Sequence, residues 1–405
     1  MSFVAQRLKA IKASPTLAIT AKAARLKSEG KDIIGLGAGE PDFDTPQFIK
    51  DAAIAAMNKG LTKYTAAGGT PSLKKAIIAK YKRDNGLEYT EKQILVSCGG
   101  KQSCFNLCMA LLDDGDEVII PAPYWVSYPD MAMMAGATPV IVSAGLEQGF
   151  RITAAQLERA ITPKTRMIFL NSPSNPSGAI YGLKDLEAIG AVLRKHPRIV
   201  IATDDMYEHI LLDGSKFVNI LNACPDLFSR TVVLNGVSKA YSMTGWRIGY
   251  CGGPEELIQA MENVQSHSTS NPSSISQYAA EAALNGEQSF IDTMVTAFKE
   301  RGKFVAEGLN AIPGVKCMKP QGAFYVFPDC REAIARLHAD GKLKAPTDAS
   351  LCEYLMEQEK AVAAVPGSAF GMEGYLRISF ATSMENLKKA VERMGHSMAP
   401  ARAIA

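Results

Sequence analysis

The stretch Val232-Val-Leu-Asn-Gly-Val-Ser-Lys239-Ala-Tyr-Ser-Met-Thr-Gly-Trp-Arg247-Ile-Gly-Tyr-Cys251 decides the fold. It begins and ends on short apolar runs, 232–234 and 248–251, that read as strands buried on both faces. Between them a lysine follows a buried strand. Most lysines are solvated surface charges, but an amine placed here is a candidate nucleophile, because burial lowers its pKa and frees its lone pair. Arg247, eight residues on, either neutralises an anion such as a phosphate or is a plain surface charge.

Runs of the same kind recur at 94–97, 118–121, 167–170 and 199–202, separated by stretches with helical spacing at 101–112, 183–194 and 255–265. That alternation predicts an α/β fold with a mainly parallel sheet of about seven strands, covered by helices. After Pro272 the pattern changes. A long helical stretch over 274–310, broken near Asn285 and Gly286, leads to strand-like runs at 322–328 and 375–381, which suggests a smaller α+β domain. The expected division is a large domain over 46–288 and a small one made of 1–45 with 289–405. Residues 35–46 read as a loop that reaches the active site, and no internal repeat or low-complexity linker is visible.

In such sheets ligands sit beyond the carboxyl ends of the strands. Cys98-Gly99-Gly100-Lys101 follows the run at 94–97, and glycines there let N–H groups approach an anion that a helix dipole favours by roughly 1 kcal/mol. Asn171-Ser-Pro-Ser-Asn175-Pro-Ser-Gly178 follows the run at 167–170 and presents Asn175 on a rigid backbone. Asp204-Asp-Met-Tyr207 puts an acid directly after a buried strand, where it needs a cation or strong donors. A tight turn without ligand, a Pro/Asn/Gly turn and a helix N-cap stay open as the plainer readings of these three.

The motifs Asn-Ser-Pro-x-Asn-Pro-x-Gly, Asp-x-x-Tyr, Ser-Lys and Met-Thr-Gly-Trp-Arg-Ile-Gly-Tyr, in this order and spacing, resemble the class I pyridoxal-phosphate-dependent aminotransferases. Gly37-Ala-Gly39-Glu-Pro-Asp-Phe-Asp-Thr-Pro46, Tyr64-Thr, Ala122-Pro-Tyr-Trp125-Val-Ser-Tyr, Gly322-Ala-Phe-Tyr, Val365-Pro-Gly and Arg377-Ile-Ser match as well, over nearly the whole chain. The likeness narrows to the bacterial branch of aspartate aminotransferases, and it implies the pyridoxal-phosphate transferase fold type I. It also implies roles. Lys239 would hold pyridoxal 5′-phosphate as a Schiff base and, once displaced, move the proton between Cα and the cofactor. Asp204 would pair with the pyridine nitrogen, Asn175 and Tyr207 would bond the phenolic oxygen, and Trp125 would stack on the ring. The phosphate would rest on Gly99, Gly100, Lys101 and Arg247, with Tyr64 reaching in from a second subunit of a homodimer.

Arg377 would grip the substrate α-carboxylate, helped by Gly39, Trp125 and Asn175. Lys101 would meet the distal carboxylate of a dicarboxylic substrate or, alternatively, only lie near the phosphate. One departure stands out: many relatives carry a phosphate-binding Ser three residues before the lysine, where this chain has Gly236, and the role of Ser238 is left open. The implied reaction is transamination of L-aspartate with 2-oxoglutarate to oxaloacetate and L-glutamate. An aromatic or prephenate aminotransferase with the same site is the alternative, with Lys12 in the segment that borders the pocket. A same-fold lyase acting at Cβ or Cγ would release pyruvate or ammonia, and a non-catalytic regulator would need a DNA-binding extension for which there is no room before Gly35.

Composition agrees with a folded enzyme. The 44 basic and 41 acidic residues are spread without basic blocks, which argues against nucleic acid as a partner. No apolar run approaches the roughly 18 residues of a membrane span, and the richest, 131–142, is interrupted by Gly136, Thr138 and Pro139. Eight scattered cysteines fit a reduced, cytoplasmic compartment, and five histidines without ligand spacing argue against a metal. The first 28 residues carry six basic residues and no acid. A basic helix leading into the fold is preferred here to a transit peptide.

Overall fold

The computed structural model describes residues 3–11 and 13–400; Lys12 lies outside them. After β1 (Ile33–Gly35), seven strands make one sheet: β2 (Ile94–Ser97), β3 (Glu117–Ala122), β4 (Thr138–Ser143), β5 (Thr165–Asn171), β6 (Val200–Asp204), β7 (Thr231–Gly236) and β8 (Gly249–Gly252). Their spatial order is β2-β8-β7-β6-β5-β3-β4, and every pairing is parallel except the two made by β8. The reversal of β8 has a consequence for the site. It starts the strand at the carboxyl edge of its neighbours and so returns Arg247 to the edge where β5, β6 and β7 end.

Alternate residues of each strand enter different cores, as a two-residue side-chain period requires. Val96, Ile168, Leu170, Ile201 and Val233 pack in one cluster, and Leu95, Met167, Phe169, Ala202 and Leu234 in another on the opposite face. Each fully buried aliphatic side chain contributes about 1.5–3 kcal/mol, so the central strands are held from both sides. This two-sided burial is why their sequences are continuous apolar runs. Edge strand β4 is only half covered, its exposed and intermediate residues alternating. It was not recognised in the sequence: the apolar stretch at 131–142 splits into the end of helix Ser127–Met134 and this strand, where an edge position tolerates Pro139.

The remaining strands are short. β9 (Tyr325–Val326), β10 (Ala361–Ala363), β11 (Val365–Pro366) and β12 (Leu376–Ser379) form a three-stranded antiparallel sheet, β11-β12-β9, and a parallel pair of β1 with β10. β1, β9, β10 and β12 share a further core with the helices Ser289–Asn310 and Met384–Ser397, through Phe298, Phe324, Leu376 and Leu387. The strand expected over 322–328 shrinks to two residues. Ala323 has φ +56°, and a Cβ at Gly322 would stand 2.6 Å from Pro173, so this segment is a cramped loop pressed on the turn after β5. Pro15 begins the helix Pro15–Ser28, behind Ser14 as its N-cap, rather than interrupting a longer one.

The β2 and β8 ends meet without side chains. Ser97 pairs with Gly249, which pairs in turn with Gly236. A Cβ at Gly249 would lie 2.2 Å from the Gly100 nitrogen, so the bare backbone is what admits the Gly99–Gly100 turn. Gly249→Ala should therefore cost about 1–3 kcal/mol and lower the thermal unfolding midpoint. An unchanged midpoint would contradict this packing.

Candidate active site

A cavity of about 420 Å³ opens at the carboxyl edge of the sheet. Its lining includes Gly39, Gly100, Lys101, Trp125, Asn175, Asp204, Tyr207, Lys239, Arg247 and Arg377, drawn from all three parts of the chain. Asn171 and Asp204 are register partners at the ends of β5 and β6, and Asp204 is paired in turn with Leu234 on β7. Residues remote in sequence thus meet because parallel strands end together. Tyr64 is 91% exposed and does not line the cavity of its own chain.

Three groups define the chemistry. Lys239 sits on the loop after β7, with Nζ donating to the Gly39 carbonyl. Burial first and then the Arg377 charge bring its pKa down to about 8, against an upward pull from Glu40, with weaker effects of Arg247 downward and Asp204 upward. Asp204 is 8% exposed and accepts the Tyr128 hydroxyl at 2.5 Å and the Met206 N–H at 3.3 Å. Burial pushes its carboxyl up while those two bonds oppose the rise, and among the described residues no cation lies in ion-pair reach of it. Arg377 is 2% exposed, donates to Asn175 Oδ1 at 3.1 Å and to the Gly37 carbonyl, and keeps its Nε without a partner.

An unpaired buried guanidinium and an unpaired buried carboxyl are costly in an empty cavity and useful in one that takes a ligand. The ligand must bring a negative group to Arg377 and a positive one to Asp204. A third, exposed cationic position is Arg247, held in the left-handed region at φ +55° by its Nη1 bond to Thr244 O. It lies against Gly99, whose φ of +90° is a backbone conformation that side-chain-bearing residues rarely adopt. At the departure, Gly236, a Cβ would stand 3.0 Å from the Ile248 carbonyl, a tight fit, and Ser238 lines the cavity.

Sequence reasoning missed three contributors. Tyr128, inside the quoted Ala122-to-Tyr128 motif, is the hydroxyl on Asp204 and stacks on Phe169 at 4.2 Å. Tyr325 bonds Tyr207 at 3.0 Å between hydroxyls and underlies Arg377 at 4.8 Å. Ser14, Thr16 and Thr20 of the N-terminal segment close one side of the cavity. The Gly322-Ala-Phe-Tyr and Trp125-Val-Ser-Tyr motifs carried a signal for the first two; the N-terminal segment was expected to border the pocket, but through Lys12 rather than these hydroxyl residues. Lys101 was expected near an anion. Its Nζ instead donates to Ser127 Oγ at 2.8 Å and stands 4.8 Å over the Trp125 ring.

A phosphorylated aldehyde with a protonatable ring nitrogen, carrying an amino acid, would meet all of these demands, and the fold around them is that of the pyridoxal-phosphate enzymes of fold type I. Comparison with known proteins narrows the class. The family model for aminotransferase class I and II matches residues 31–394. An aspartate/prephenate aminotransferase of Nitrosomonas europaea is 65% identical over 391 residues, 96% of this chain and 98% of that protein. The crystal structure of the aspartate aminotransferase from Rhizobium meliloti superposes with a TM-score of 0.92 at 51% identity, covering 98% and 99% of the two chains. The Thermus thermophilus aspartate aminotransferase, solved with maleate, gives 0.91 at 42% identity, covering 98% and 100%. The chain belongs to the class I and II aminotransferases, and its cofactor is pyridoxal 5′-phosphate.

The pKa of Lys239 has a measurable sign. Only the neutral amine attacks an aldehyde, so uptake of pyridoxal phosphate by the cofactor-free protein should speed up as pH rises, with a midpoint near 8. Arg377→Leu removes a charge that lowers this pKa and should move the midpoint upward. A wild-type midpoint at the ordinary lysine value, or a downward move in the variant, would contradict the assignment.

Proposed function

We propose that the protein is an aspartate aminotransferase, converting L-aspartate and 2-oxoglutarate to oxaloacetate and L-glutamate. The observation that carries the reading is the buried Arg377, with Nε unmet, and the buried Asp204, neither in a close ion pair among the described residues, in one cavity with a lysine of lowered pKa. The residues suit the cofactor. Lys239 Nζ would attach it, Asp204 would pair with its ring nitrogen, and Asn175 and Tyr207 would bond its phenolic oxygen. Trp125 would cover the ring, and the backbone of Gly99, Gly100 and Lys101 together with Arg247 would receive the phosphate. Bound there, pyridoxal phosphate supplies the electron sink for the pair released at the substrate Cα.

The chain's own groups do the rest. Arg377 takes the α-carboxylate bidentately, assisted by Gly39, Trp125 and Asn175, and so aims the Cα hydrogen at Lys239. Freed by the substrate amine, Lys239 Nζ would take that proton from Cα and return it two bonds further on, a 1,3-transfer. Lys101 turns from Ser127 to the distal carboxylate of a dicarboxylic substrate; maleate, present in the Thermus structure, is such a dicarboxylate. Tyr64 completes the phosphate site of a partner subunit in a homodimer, which gives its exposure a purpose. We further propose a large domain over 46–288, a small one of 1–45 with 289–405, and a cytoplasmic location. Eight free cysteines, and no helix among the described residues long and apolar enough to cross a membrane, support the last.

Prephenate is the second substrate reading, favoured by the name of the Nitrosomonas relative. A panel of amino donors and keto acids compared by kcat/KM tests both. Aspartate with 2-oxoglutarate should lead, and release of pyruvate or ammonia without an acceptor would contradict transamination. Lys101→Ala should lower kcat/KM for aspartate about 10- to 100-fold and that for aromatic donors far less. Equal losses would assign Lys101 to the phosphate instead.

A further inference from the structure

The turn that follows β6 has two faces. Asp204 and Tyr207 look into the cavity. Asp205 and Glu208, one position further along, look away from it into a polar layer that the proposed chemistry does not use. Asp205 accepts from the Thr203 hydroxyl at 2.7 Å and from Asn219 Nδ2 at 2.8 Å. Glu208 is 4% exposed and accepts from Asn85 at 2.7 Å, from Asn235 at 2.7 Å and from the ammonium of Lys80, a lysine with no exposed surface at all.

Three pieces of chain are tied at this carboxylate. Lys80 ends the helix Pro71–Lys80 and also donates to Asn85 at 2.8 Å. Asn235 lies in the last turn of β7, four residues before Lys239, and its Oδ1 accepts the Gly236 N–H at 2.8 Å. Glu208 directly follows Tyr207. Burial alone would raise the Glu208 carboxyl; Lys80, His209 and the hydrogen bonds of Asn85 and Lys80 bring it down to about 2, so it is an anion at any ordinary pH. His209 Nε2, 3.5 Å from Glu208 and 3.4 Å from Asp84, would complete a set of ligand atoms within 4.8 Å of one another. The Lys80 ammonium already rests on that carboxylate, which leaves a metal ion no uncompensated charge to answer.

A buried ion pair is a poor source of net stability, since the desolvation of two charges offsets most of their attraction. What it does supply is direction, because five donors and acceptors must all be met at fixed angles. We propose that Lys80, Glu208 and Asn235 are positioning residues of the transamination site, a clamp that fixes the root of the Lys239 loop against the turn bearing Asp204 and Tyr207. The clamp sets the distance over which the Lys239 amine reaches the cofactor and the substrate Cα. It rests on the assignment of Lys239 and Asp204 made above.

The test uses the holoenzyme and two variants. Asn235→Ala cuts the link to β7 while leaving the ion pair intact. Lys80→Met/Glu208→Met removes the pair as neutral apolar groups, an exchange that buried ion pairs often tolerate. Two quantities are read: kcat and KM for aspartate, and the pH midpoint of the visible absorbance of the bound cofactor without substrate. In both variants kcat should fall about 10- to 100-fold with KM within about twofold, and the absorbance midpoint should move by about half a pH unit or more. Wild-type kcat and an unmoved midpoint in both, whatever happens to thermal stability, would reduce the cluster to a structural one and overturn the proposal. A wild-type protein that takes up no pyridoxal phosphate would overturn the underlying assignment, an outcome distinct from the first.

Discussion

The constraint on which the rest depends is that two opposite charges are buried in one cavity, each without a counter-ion from the protein. Asp204 has only a phenol and an amide as donors, and Arg377 leaves Nε unmet. Neither cost is tolerable in an inert core, where each unpaired charge would weigh several kcal/mol. The site is therefore complementary to a ligand that is itself a pair of charges. Their field also acts on Lys239, whose amine is pushed toward its neutral, nucleophilic form by burial and by Arg377.

Positioning these groups falls to the sheet. Parallel strands β5, β6 and β7 end at a common edge, so Asn171, Asp204 and Gly236 arrive together although 65 positions separate the first from the last. The one reversed strand, β8, then delivers Arg247 to the same edge. Glycine is needed at 249 because the Gly99–Gly100 backbone approaches to a distance at which a Cβ would collide, and at 99 because φ is +90°. From the smaller sheet, Arg377 on β12 reaches the same cavity and donates to the Gly37 carbonyl, while Lys239 donates to that of Gly39.

Much of this was legible in the sequence for physical reasons. Strands buried on both faces must be continuous apolar runs, so six of the seven in the large sheet could be read, and helix Leu183–Arg194 was placed at its observed ends. Edge strand β4 escaped because an edge needs no such run and admits a proline. The 322–328 segment misled because its apolar residues are buried by packing on the turn after β5 rather than by a ladder. Residues that stand out by type at a strand end, such as Lys239 and Asp204, could be singled out in the sequence, and both line the cavity. Tyr128 and Tyr325 were not singled out, because a tyrosine that acts by orienting a neighbour looks in sequence like any core aromatic. Lys80 and Glu208 were hidden in the same way, since a charge pair formed across 128 positions leaves no local pattern.

The central claim is that one lysine, set by this field, carries the cofactor. Borohydride reduction of the holoenzyme followed by peptide mapping tests it most directly, because reduction fixes the bound cofactor to whichever amine holds it. The account predicts a pyridoxyl label on Lys239 alone. A label on Lys101, Lys80 or any other lysine, or no label from a protein that has taken up the cofactor, would contradict it.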